Sequence, residues 1–146
     1  VKLASIALAA AALIALGACG SDGEGDSTGG AAADPAALEG KAWILSEGIG
    51  VAGWEQAAPS VNFERGEVGG SSGCNGFGGT YEVSGSRLEV AEIISTLMAC
   101  PPPAGEVEEE FMDALEKVSE WGLDGKELVL RSGGDELRFR VASPEG

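Results

Sequence analysis

Thr80-Tyr81-Glu82-Val83-Ser84-Gly85-Ser86-Arg87-Leu88-Glu89-Val90 is the stretch on which the fold is decided. Side chains of an extended chain point alternately to two faces, and Tyr81, Val83, Leu88 and Val90 fall where one buried face needs them. Between the two runs, Ser84-Gly85-Ser86 supplies the glycine that a tight reversal favours. The segment therefore predicts a β-hairpin with one face turned inward.

The same period recurs on both sides. Lys41–Glu47 sets Trp43 and Leu45 on one face, and Val61–Glu64 does so with Val61 and Phe63. Ile93–Ala99 is a further apolar, β-branched run. Ser119–Leu123 alternates through Trp121 and Leu123 into an Asp124-Gly125 turn, while Glu127–Arg131 and Glu136–Val141 flank Ser132-Gly133-Gly134. One segment has a different period: after Pro101-Pro102-Pro103, the residues Val107, Phe111, Leu115 and Val118 share a face only if the chain is helical. Glu106, Glu108, Glu109 and Glu110 crowd the first turns of that helix and Lys117 sits near its end, as the helix dipole favours. The pattern predicts a mainly β (α+β) domain of short antiparallel strands, a small barrel or sandwich covered by a single amphipathic helix inserted late.

The N-terminal quarter is of another kind. Residues 1–18 carry Lys2, an apolar run from Leu3 to Leu16 that falls short of the roughly 20 residues needed to cross a bilayer, and small residues before Cys19. This reads as a secretory signal, and Leu16-Gly17-Ala18-Cys19 resembles the lipobox of bacterial lipoproteins. The resemblance implies lipidation of Cys19 with acyl chains such as palmitate, and residence on the extracytoplasmic face of the cell membrane or envelope. The competing reading is a plain signal whose cysteine merely lies near the cut. Residues 19–37 are Gly, Ser, Ala and acidic residues, a linker that buries too little to fold and would span roughly 20–25 Å as a coil. Asp22, Glu24 and Asp26 alternate like the start of a calcium loop, but Ser27 and Ala33 stand where its glycine and bidentate Glu belong, so a solvated linker is expected. Residues 38–143 form the folded domain, expected to be monomeric.

Twenty-four acidic against nine basic residues give a net charge of −15, which opposes nucleic acid as a partner. With no His in the chain, the usual base for activating a Ser, Thr or Cys nucleophile is missing, and no metal, cofactor or catalytic residue is expected. Carboxylate-dependent hydrolysis stays formally open because acidic residues abound. Gly73–Gly79 is glycine-rich enough to suggest a phosphate cradle. It leads into the strand around Tyr81 with no basic neighbour, so a tight turn with positive φ is the expectation.

Gly73-Cys74-Asn75-Gly76, then Gly79-Thr80-Tyr81, then Thr96-Leu97-Met98-Ala99-Cys100, together with the Lys41–Leu45 strand, the Glu109–Leu115 helix and the closing Leu128-Val129-Leu130 and Leu137-Arg138-Phe139, resemble the META domain family, also called HslJ-like. The resemblance covers about Leu38 to Val141. It implies a β-barrel-like fold of lipocalin-type topology with one helix, common in secreted or lipid-anchored bacterial proteins that are loosely linked to stress response and have no agreed molecular activity. Asn75, Phe77 and Tyr81 are the candidates for a recognition loop.

Cys74 and Cys100 are the two thiols left once Cys19 is lipidated, and export favours their pairing as a disulfide. A redox-active pair and two separate buried thiols are the alternatives. Three function classes follow: a tethered envelope module that binds a protein or a small apolar ligand, a structural or stress-protective domain without a pocket, and a carboxylate hydrolase. Trp43, Phe63, Phe77, Phe111, Trp121 and Phe139 discriminate the first two, since they either fill the interior or line an opening.

Overall fold

A computed structural model describes residues 33–143; the signal, Cys19 and the acidic triplet of the linker lie outside them. Eight antiparallel strands follow one another around a ring: β1 (Ala42–Glu47), β2 (Ser60–Glu64), β3 (Glu67–Ser71), β4 (Gly76–Ser84), β5 (Arg87–Ser95), β6 (Glu120–Asp124), β7 (Glu127–Ser132) and β8 (Asp135–Val141). Each pairs with its successor, and β8 pairs back onto β1, so the sheet closes into a barrel-like ring. The up-and-down order is that of the lipocalin-type topology that the family resemblance implies.

Turn chemistry sets the register. Gly85, at φ +61°, opens the two-residue loop joining Ser84 to Arg87, a conformation that costs an L side chain and that the strand twist requires. Inside the ring, alternate residues meet as expected: Trp43, Leu45, Val61, Phe63, Tyr81, Leu88, Trp121, Leu128, Leu130, Leu137 and Phe139 are all buried. Both deep indoles are satisfied, Trp43 Nε1 donating to Leu38 O at 3.0 Å and Trp121 Nε1 to Gly85 O at 2.9 Å. Buried polar groups without such partners would each cost about 1–3 kcal/mol.

The single α-helix among the described residues, α1 (Ala104–Glu116), is inserted in the chain at the weakest seam, between β5 and β6. β5 and β6 share a single registered pair, Arg87 with Glu120, and the rest of β5 has no ladder partner on that side. The chain returns through α1, whose Val107, Phe111 and Leu115 are fully buried. Phe111 lies between Phe77 and Phe139, with ring centroids 5.9 and 6.4 Å away. Val118, expected on the helix face, is buried just beyond the helix end. The six discriminating aromatics all fill the interior, which leaves no opening for an apolar ligand among them.

Two expectations are corrected, and one strand has no signature in the sequence. β3 went unread, because Gly69 and Gly70 give a strand no side-chain pattern. The Ile93–Ala99 run is not a separate strand: Ile93–Ser95 completes β5 after a bulge at Glu92, whose φ is +53°, and residues 96–99 form a loop. The structured part also begins before Leu38. Asp34 Oδ1 accepts from the Ala36 N–H at 3.0 Å and caps a 3₁₀ turn at Pro35–Ala37, while Ala33 packs against the core.

Candidate functional site

The loop that enters β4, the loop that leaves β5 and the first turns of α1 converge on one side chain. Gly73 makes the approach possible: at φ +102° it reverses the chain where a Cβ would sit 2.5 Å from Ala57 O and 3.1 Å from Val107 Cγ1. No phosphate cradle is built there, since the segment runs into β4.

Asn75, 1 % exposed, is the hub. Its Nδ2 donates to both oxygens of Glu108 at 3.0 Å and to Met98 O at 3.1 Å. Its Oδ1 accepts from Thr96 Oγ1 and from the Met98 N–H, both at 2.8 Å. Its own N–H reaches Glu108 Oε2 at 3.0 Å, and Ser72 Oγ donates to the same oxygen at 2.5 Å. Burial pushes the Glu108 carboxyl up, but the hydrogen bonds from Ser72 and Asn75 outweigh it and hold its pKa below the ordinary carboxylate value. One amide thus ties three segments together.

Cys74 and Cys100 bracket the hub with Cα atoms 6.2 Å apart, inside the range a disulfide spans. Between them, the hub holds Thr96 by its hydroxyl and Met98 by its backbone, and Leu97 and Met98 are 94 % and 62 % exposed.

The three side chains expected to form a recognition loop, Asn75, Phe77 and Tyr81, are all buried. Asn75 is the hub, Phe77 packs on Phe111, and Tyr81 lies edge-on to Phe63 at 5.0 Å with its hydroxyl donating to Glu39 Oε1 at 2.5 Å. Burial, then the Glu39 hydrogen bond, pushes the Tyr81 phenol up to about 12. The exposed apolar groups beside them are Ile94, near the end of β5, and Leu97 and Met98 in the loop that follows, where an apolar run in the sequence resembles core.

Chemically the hub is closed. Ser72 is fully buried, and the Glu108 carboxylate is engaged by Ser72 and Asn75. Among the described residues no group of three or more Cys, Asp or Glu is placed to hold a metal ion. No described helix is long and apolar enough to cross a membrane.

A family model of the META domain matches residues 36–144. The chain belongs to the META domain family. Two solved structures extend the comparison at the level of fold and modest identity. An NMR structure of a protein from Burkholderia xenovorans is 26 % identical, with a TM-score of 0.63 over 75 % of this chain and 89 % of its own. The crystal structure of a duf4847 family protein from Bacteroides vulgatus is 14 % identical, with a TM-score of 0.57 over 74 % of this chain and 96 % of its own, and shows the fold alone. No curated protein matches the chain. In this META domain the Gly-Cys-Asn and Thr-Leu-Met-Ala-Cys segments by which the family was recognised are the two loops that meet at Asn75.

Proposed function

We propose that this META domain is a non-catalytic recognition module, carried on the extracytoplasmic face of the cell envelope by a lipid on Cys19, that binds a protein partner through its outer surface. The observation that carries the reading is the filled interior: Trp43, Phe63, Phe111, Trp121 and Phe139 occupy the space in which barrels of this size hold a small ligand. Recognition is thereby left to the outside, where Ile94, Leu97 and Met98 stand exposed. The Gly-, Ser- and Ala-rich stretch between Cys19 and the domain would let the domain face away from the surface to which the lipid ties it. The chain's net charge of −15 would hold the domain off anionic headgroups.

The filled interior also suits a purely structural or stress-protective domain. Cross-linking of intact envelopes separates the two: a recognition module gives a discrete adduct, and a structural domain gives none above background. The anchor is tested independently by Cys19→Ala, which is expected to abolish the membrane-associated, mass-shifted form. Complete retention on membranes would place the anchor elsewhere.

A further inference from the structure

Cross-strand register lines up an unusual row on the outer face of the ring: Asn62 of β2 faces Gly69 of β3, Gly69 faces Gly78 of β4, and Gly78 faces Ile94 of β5. Two adjacent glycines leave bare backbone between an Asn wall and an Ile wall. Three strand spacings put those walls about 14 Å apart, wide enough to seat an extended chain. The result is an open groove of about 490 Å³.

The neighbouring row is acidic. Glu64 lies directly opposite Glu67, Glu67 opposite Thr80, and the β5 bulge brings Glu92 alongside, its Oε2 3.3 Å from Thr80 Oγ1. Like charges facing each other across a ladder repel, so Glu64 and Glu67 oppose the free state and would be relieved by a cation. Three carboxylates and no Lys or Arg line the groove; Arg65, at the adjacent turn, reaches Glu64 at 2.6 Å in an exposed pair that contributes little. At its other end the groove shares Gly78 and Ile94 with a second depression lined by Phe77, Ser95 and Thr96.

We infer that this groove on β2–β5 is the docking site of the recognition module, and that its occupant is an extended protein segment carrying Lys or Arg at one end and an apolar side chain at the other. Charge complementarity selects the basic end, and Ile94 over a glycine floor selects the apolar end. The inference rests on the recognition reading above and adds where the partner binds and what chemistry it bears.

The test titrates the full chain, in non-ionic detergent, with a short synthetic peptide that carries Lys at one end and Leu at the other. Glu64→Gln/Glu67→Gln/Glu92→Gln is expected to weaken binding about tenfold or more. Glu109→Gln/Glu116→Gln/Glu120→Gln removes the same charge from elsewhere on the surface and should stay within about twofold. Gly78→Val fills the floor without a clash, since a Cβ there meets nothing closer than Val68 O at 3.9 Å, and should also weaken binding. Equal loss in the two triple variants, or an unaffected Gly78→Val, would overturn the groove. A discrete adduct in intact envelopes that survives the Glu64/Glu67/Glu92 substitutions would overturn it too, while leaving the recognition reading in place.

Discussion

Asn75 and Glu108, on a loop and a helix separated by 33 positions, are joined by the side-chain amide and the backbone N–H of the one against the carboxylate of the other. Removing the amide leaves a part-buried carboxylate short of donors and the Met98 N–H without its acceptor. Asn75→Ala is therefore expected to destabilise the domain by about 3 kcal/mol, lowering Tm by roughly 10–20 °C. Urea unfolding checks it; a loss below about 0.5 kcal/mol would show that the hub is not holding these segments.

The same carboxylate makes stability depend on pH. Glu108 titrates lower in the folded protein than in the unfolded chain, so the native state binds fewer protons and the contribution is fully present above the unfolded value of 4.5. It is lost as pH falls below that value through the depressed folded pKa. Unfolding midpoints measured downward from neutral pH should fall more steeply for the natural chain than for Glu108→Gln; parallel curves would contradict this.

Tyr81 is the single tyrosine in the chain, so its phenolate absorbance reads one group. The folded protein should titrate near 12 and the unfolded chain near 10. Because the folded value is raised, the stability Tyr81 supplies is complete below pH 10 and disappears as pH rises toward 12. Glu39→Gln should shift the folded midpoint downward, since it removes the charge and weakens the hydrogen bond.

Much of this fold was legible because its strands keep period two and its helix keeps a four-four-three spacing. Tyr81 and Leu88 announced the hairpin, and Val107, Phe111 and Leu115 the helix. What failed has physical causes. Gly69 and Gly70 hide β3, since a strand without side chains has no alternation, and the Glu92 bulge breaks the period of β5 so that its second half reads as a new element. Leu97 and Met98 are apolar yet exposed, which sequence hydrophobicity cannot separate from core. The hub was half visible. Asn75 stood in a conspicuous Gly-Cys-Asn-Gly motif, but its partner was one of four glutamates at the helix start, and only the fold distinguishes Glu108.

Cys74 and Cys100 are expected to be bridged in the exported protein. A bridge across a sequence separation of 26 contributes about 3.5 kcal/mol by loop-closure entropy. Intact mass under denaturing conditions should rise by two hydrogens on reduction. An unchanged mass would leave two free thiols in an adjacent pair and remove that contribution.

The central claim, recognition through the outer surface, is met most directly by site-specific photo-cross-linking in intact envelopes, with the photoreactive residue placed at Ile94 in one strain and at Glu109 in another. The account predicts a discrete protein adduct from position 94 and none from position 109. Absence of an adduct at both positions, or equal labelling at both, would contradict it.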